Sequence, residues 1–280
     1  MTAKPLAGKT ALVTGSSHGM GKATARMLAE DGATVMIMGR RQEMLDQALA
    51  DLRAAAPDAR IEAFLGDAGQ QASACAALDA AHALDGRLDI IVSAVGKGVY
   101  KPLLLCDEAD MLDEFRAEVL TAFFMIRYGA PMMPAGGSIV CVSSTAGGFP
   151  CAGLGPYASA KAGLEMLVKV AALELGKAQV RVNAVRPGFT RGEGTAGMFE
   201  DPDVLASFTD FIPMARGGES DDLARALRFL AGPESGWVTG QILAADGGQE
   251  LRGFPDPNPL LDQIYGPEIM TQLRSGKAQR

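Results

Sequence analysis

The stretch "YASAK" sets Tyr157 and Lys161 four residues apart. On a helix, positions i and i+4 share a face, so the lysine would be held beside the phenol. A free tyrosine titrates near ~10, and a neighbouring ammonium favours the phenolate. Such a pair can hand a proton to an oxygen or take one from it. The spacing alone recurs by chance, so its meaning depends on what the rest of the chain places around it.

A second candidate is "TGSSHGMG" (14–21), between a strand-like run and a helical one. Gly15 allows a tight turn, Gly19 lets the backbone approach a pyrophosphate, and Gly21 lets helix pack on strand. Ser17, His18 and Met20 complete the turn, with His18 read as a solvent-facing polar filler. Backbone N–H groups at the helix start favour an anion. About 20 residues further on, where an acid would grip ribose hydroxyls, stand Gly39, Arg40 and Arg41. Their guanidinium groups either pair with a 2′-phosphate or are solvated helix-start side chains.

These residues need a frame. Short β-like runs alternate with helical patterns: "TALVT", "ATVMIM", "ARIEAFLGD", "LDIIVSAVG", "GSIVCVSS", "VRVNAVRPG" and "QILAADGG". Strands separated by helix-length crossovers pair in parallel, and apolar runs imply a sheet covered on both faces. The expected fold is therefore α/β, a doubly wound Rossmann-type sheet of seven parallel strands in one domain over 1–253. Within it, 189–218 holds five glycines and two prolines among Phe and Met, which suggests a lid with short helices. Residues 254–280 form a tail with Pro255, Pro257 and Pro259 ahead of an amphipathic "LLDQIYG". The acidic cluster Asp107, Glu108, Asp110, Asp113, Glu114 reads as a solvated helix face.

A net charge of −7 argues against nucleic acid or an anionic membrane as partner. No apolar run approaches the ~20 residues of a bilayer span. The N-terminus lacks the features of a secretory signal, so the expected location is cytoplasmic. Cys75, Cys106, Cys141 and Cys151 show no paired spacing and only two histidines exist, so neither a zinc site nor a disulfide framework is expected.

The chain resembles the short-chain dehydrogenases/reductases over about residues 6–250. The likeness rests on "TGSSHGMG", "GDA" (66–68), "SAVG" (93–96), "VSS" (142–144), "YASAK", "RPGFT" (186–190) and "VTGQILAADGG" (238–248), in the family's order and spacing. It implies that Ser144, Tyr157 and Lys161 are catalytic. Hydride would pass between the nicotinamide and a carbonyl or carbinol carbon while Tyr157 exchanges the hydroxyl proton. Ser144 would hold the substrate oxygen, and Lys161 would lower the Tyr157 pKa and bind the nicotinamide ribose. Bringing that pKa to about 7 takes roughly 4 kcal/mol. By the same resemblance Asp67 and Ala68 lie at the adenine, Ala94 and Gly96 line the cofactor cleft, and Pro187, Gly188 and Thr190 border the nicotinamide.

Two positions depart from the family pattern. Its Asn-Asn-Ala-Gly appears here as Ser93, Ala94, Val95, Gly96. Its relay asparagine, in the helix after the fourth strand, aligns with Val119, which cannot hydrogen-bond through its side chain.

The implied activity is an NADP(H)-dependent oxidoreductase, with NAD possible, acting on a secondary alcohol or ketone. The alternatives are a 3-oxoacyl carrier-protein reductase and a cofactor-binding regulator without activity. Phe149, Leu154, Met198, Phe199, Phe208, Phe211, Ile212 and Met214 either line a site for a hydrophobic small molecule or pack into the core. Members of the family assemble as dimers or tetramers, and a homotetramer is expected through helices within 107–133 and 157–176.

Overall fold

A computed structural model describes residues 4–96, 98–253 and 255–277; the ends of the tail expected at 254–280 lie outside them. The chain runs β1 (Thr10–Thr14), α1 (Gly19–Glu30), β2 (Thr34–Gly39), α2 (Gln42–Ala55), β3 (Ile61–Leu65), α3 (Gln71–Asp85) and β4 (Ile90–Ser93). It continues through α4 (Glu108–Phe115), a π-helical turn (Arg116–Leu120), α5 (Thr121–Gly129), β5 (Ser138–Val142), α6 (Gly155–Leu175) and β6 (Arg181–Pro187). Then come α7 (Ala196–Glu200), α8 (Pro202–Thr209), α9 (Ser220–Ala231), β7 (Ile242–Ala245), α10 (Asn258–Tyr265) and α11 (Pro267–Arg274).

All seven strands pair in parallel, in the order β3-β2-β1-β4-β5-β6-β7. The period-2 geometry of a strand sends successive side chains to opposite faces. Val13, Val140 and Val142 thus join α1, α2 and α9 through Leu28, Leu45 and Leu227. Leu12, Ile139 and Cys141 meet α3, α5 and α6 on the other face through Leu78, Met125 and Leu164. Burying each such side chain stabilises by roughly 1.5–3 kcal/mol, which explains the near-continuous apolar strands.

Chain order reverses between β1 and β4, so their carboxyl ends open a crevice, the usual ligand position in such sheets. No helix among the described residues is long and apolar enough to cross a membrane.

Candidate active site

The crevice is built first by the turn after β1. Gly15 has φ +64°, and a Cβ there would lie 2.4 Å from the Ala94 carbonyl oxygen, so only glycine fits. Ser16 locks the turn to β2: its Oγ donates to the Val13 carbonyl at 2.7 Å and accepts the Met38 N–H at 3.0 Å. His18, in extended conformation, precedes α1, whose first turn carries no acid. The first N–H groups of α1 have no intrahelical partners and face the crevice. A Cβ on Gly19 would meet nothing nearer than 4.0 Å, so the space in front of the helix suits a pyrophosphate.

At the end of β2 the two arginines diverge. Arg40 is 72% exposed with its Nη1 3.9 Å from Asp67 Oδ2. Arg41 donates to both Glu193 oxygens, at 3.1 and 2.9 Å, and His18 Nε2 lies 3.0 Å from the same carboxylate. His18 is therefore engaged with the segment after β6 rather than turned to solvent alone. Asp67 is fixed by accepting the Gly69 N–H at 2.9 Å, and Ala68 is buried.

Ser144 follows β5 in extended backbone, and its Oγ accepts the Ala146 N–H at 3.2 Å. Tyr157 sits in the first turn of α6 and Lys161 one turn later, with Nζ 5.6 Å from the centre of the Tyr157 ring. Lys161 is 1% exposed; its Nζ donates to the Val142 carbonyl at 2.8 Å and ion-pairs with Glu118.

The electrostatics differ from expectation in one respect. Burial raises the Tyr157 pKa more than Lys161 and a hydrogen bond with Ser144 lower it, and Glu118 and Glu114 add to the rise. Among the protein's own groups the phenol is thus held above its ordinary value, not brought towards neutrality. Burial pulls the Lys161 ammonium down, but the Glu118 and Tyr157 charges outweigh it and keep the lysine protonated.

The side chain reaching Lys161 from the segment after β4 is Glu118, not Val119. Val119 instead faces α6, its Cγ2 3.8 Å from where a Gly163 Cβ would stand. The π-helical turn Arg116–Leu120 continues α4 into α5 and presents Glu118 inward. Gly96 accommodates it, since a Cβ there would lie 2.6 Å from Glu118 Oε1. The π-helical turn sets which of these two adjacent residues faces inward, and a lone carboxylate ahead of an apolar run was the signal available in the sequence.

The acidic cluster also needs correcting. Asp107 caps α4 and Asp110 pairs with Lys101 at 2.6 Å, but Glu114 turns inward. Its Oε2 is buried without a hydrogen-bond partner among the described residues. Burial and the Glu118 charge push its carboxyl up to about 7.

On the far side of the crevice, Thr190 Oγ1 donates to the Gly188 carbonyl at 2.9 Å, and Gln249 Oε1 accepts the Phe189 N–H at 2.8 Å. Phe189 stacks on Phe199 and Phe208 at 4.4 and 4.3 Å, with Ile212 in the same small cluster. A single cleft of about 720 Å³ has on its wall Gly15, Ser17, His18, Gly19, Met20, Gly21, Arg40, Arg41, Asp67 and Ala68. It continues past Ala94, Gly96, Ser144, Tyr157 and Lys161 to Pro187, Gly188 and Thr190. Leu154, Met198 and Phe208 also line it, whereas Phe149, Phe199, Phe211, Ile212 and Met214 do not. Phe199 and Ile212 are buried in their own cluster and Met214 faces solvent. Tyr100 is a wall residue that sequence reasoning missed. It is held from outside by the tail: Tyr265 Oη donates to its carbonyl at 2.7 Å, and Leu261 packs on it and on Gly153.

The family model described as "Enoyl-(Acyl carrier protein) reductase" matches residues 15–250. The 2,5-dichloro-2,5-cyclohexadiene-1,4-diol dehydrogenase LinX of Sphingobium indicum is 37% identical over 251 residues, covering 88% of this chain and 98% of that protein. A short-chain type dehydrogenase/reductase from Mycobacterium ulcerans superposes with a TM-score of 0.91 at 32% identity, over 95% of this chain and 98% of the other. A 7α-hydroxysteroid dehydrogenase, complexed with NADH and 7-oxo glycochenodeoxycholic acid, gives 0.84 at 28%, over 91% and 97%.

Proposed function

Since the chain belongs to the short-chain dehydrogenase/reductase family, NAD(P)-dependent oxidoreductases acting on CH–OH groups, we propose that it is an NADP(H)-dependent enzyme interconverting a hydrophobic secondary alcohol and its ketone. The observation that carries this reading is Ser144, Tyr157 and Lys161 on one cleft with the glycine turn after β1. A screen of ketones and alcohols with both cofactors, followed by nicotinamide absorbance, tests it. Cofactor binding without turnover of any of them would favour the inactive regulator instead.

A nicotinamide held in the cleft would supply or accept the hydride. Tyr157 gives its proton to the substrate oxygen in reduction and takes it back in oxidation. Ser144 donates a hydrogen bond to the same oxygen as its charge develops. Lys161, fixed by Val142 and Glu118, offers its remaining N–H to the ribose hydroxyls and its charge to the Tyr157 oxygen. The turn from Gly15 to Gly21 would hold the pyrophosphate, Asp67 and Ala68 the adenine, and Pro187, Gly188 and Thr190 the nicotinamide.

The preference for NADP(H) rests on Arg40, exposed at the end of β2 with no acid on that strand end to repel a 2′-phosphate. A hydrophobic, cyclic substrate suits a wall made by Tyr100, Leu154, Met198 and Phe208. The cyclic alcohol and ketone in the names of two relatives point the same way. An acidic carrier protein would want free cations at the rim, yet Arg41, Arg191 and Arg216 are paired with Glu193, Glu219 and Asp222. The segment 189–218 would act as the lid. Assembly into dimers or tetramers is favoured by the exposed apolar side chains Phe115 and Phe123, together with Met166, Val170 and Leu173 on α6.

A further inference from the structure

We propose that Glu118 and Glu114 form a carboxylate relay carrying the proton between the Lys161 ammonium and solvent, replacing the neutral asparagine side chain of the family pattern. The inference rests on the reading that Tyr157 exchanges a proton with substrate. Both side chains of the Lys161–Glu118 pair are almost fully buried, at 2% and 0% exposure, and the lysine meets solvent only through the cleft that a cofactor would fill. Its other recorded partner, the Val142 carbonyl, only accepts a hydrogen bond and cannot deliver a proton. A neutral amide could hold the ammonium without burying a second charge, and a buried ion pair is weak evidence for stability by itself. What the carboxylate adds is the ability to take up and release a proton.

Glu114 supplies the outer end. It lies four residues before Glu118, at the end of α4 ahead of the π-helical turn, and the Glu118 charge acts directly on its carboxyl. Its Oε2 is buried with no hydrogen-bond partner among the described residues. The charged and titratable groups that face it there are Glu118, Lys161 and Asp110, with a hydrogen bond from the Val99 N–H. Those facing Lys161 are Glu118, Tyr157 and Cys141. Burial first and the Glu118 charge second keep the Glu114 carboxyl protonated up to about 7.

In reduction the Tyr157 O–H bond breaks and its proton joins the substrate alkoxide. Lys161 then reprotonates the Tyr157 oxygen, the Glu114 carboxyl gives its proton to the Glu118 carboxylate, and Glu118 passes it on to Lys161. One proton moves, no electrons do, and Glu114 is recharged from water. Oxidation runs the same steps backwards.

The test combines two readouts on Glu114→Gln, Glu114→Asp and Glu118→Gln. Infrared difference spectra of the protein alone, between about pH 6 and about pH 8, should show a protonated carboxyl that titrates near 7 and vanishes in Glu114→Gln. In turnover, the parent's kcat for ketone reduction should fall as pH rises through that range, with KM nearly constant. Glu114→Gln should be about tenfold slower at the acid end and flat with pH, Glu118→Gln should flatten the profile likewise, and Glu114→Asp should restore the limb. Loss of a merely structural contact would lower the rate without removing the limb. An unchanged limb in Glu114→Gln, or no titrating carboxyl in the parent, overturns the relay. A parent that reduces no ketone overturns the functional reading alone, because the infrared titration still decides whether Glu114 carries the proton.

Discussion

Arg41, at the end of β2, and Glu193, 152 residues later, are joined by two hydrogen bonds of 3.1 and 2.9 Å across the mouth of the cleft. The pair ties the segment after β6 to the place where a 2′-phosphate would sit, and it leaves Arg40 as the exposed cation there. Arg40→Ala should raise the dissociation constant for NADPH about ten- to hundredfold, the range for a charge-assisted hydrogen bond, and leave that for NADH nearly unchanged. Fluorescence titration with both cofactors checks this; equal binding of the two by the parent would refute it.

Tyr157→Phe removes the hydroxyl and keeps the ring that packs against Gly98 and the Lys161 ammonium. Cofactor affinity should stay within about twofold while turnover falls by about 10²–10⁴, the usual worth of a positioned acid or base. Activity within a few-fold of the parent would exclude Tyr157 as the proton donor.

The segment 189–218 is held to the body by a few tethers: the Arg41–Glu193 pair, the Thr190–Gly218 bridge and the Phe189 cluster. Hydrogen exchange across it should slow when NADPH is added, since lids of this kind order on ligand. Unchanged protection there, with slowing at the turn after β1, would show that the segment is not a lid.

Glu114 also makes stability depend on pH. Its carboxyl titrates near 7 in the fold against 4.5 ordinarily. A group raised in this way contributes stability in full below its unfolded value and loses it as pH climbs through the folded one. Fully transmitted, the difference is about 3 kcal/mol, and partial solvent exposure reduces it to about 1–2 kcal/mol. Glu114→Gln should therefore narrow the gap between melting temperatures at about pH 5 and about pH 8. An equal gap in parent and variant would contradict the raised titration.

The sheet was legible because its strands are apolar runs of set length between glycine turns, and period-2 burial on two faces leaves little choice of register. The place of Gly15 and Arg40 on the cleft was legible for a related reason: both lie beside strand ends whose positions follow from the sheet. Glu118 was not, because a π-helical turn changes which of two adjacent residues faces inward, and no spacing rule announces one. Glu114 was hidden by its neighbours. Asp107, Asp110 and Asp113 do cap the helix, pair or face solvent, and nothing in composition separates the one acid that does not. The aromatic residues after Thr190 split between cavity and cluster according to stacking partners that only the tertiary structure supplies.

The tail helices α10 and α11 bury Leu261, Met270 and Leu273 against Tyr100 in a cluster separate from the two that cover the sheet. Cooperative opening follows such boundaries, so this cluster can come apart while the seven strands remain intact. The cleft is thus walled by parts packed on different cores: the glycine turn stands on the sheet, while Tyr100 is backed by the tail cluster. Lineage change can act on the tail cluster in the same way. Replacing the last few dozen residues would alter which molecule fits beside Tyr100 and leave the glycine turn and Tyr157 where they are.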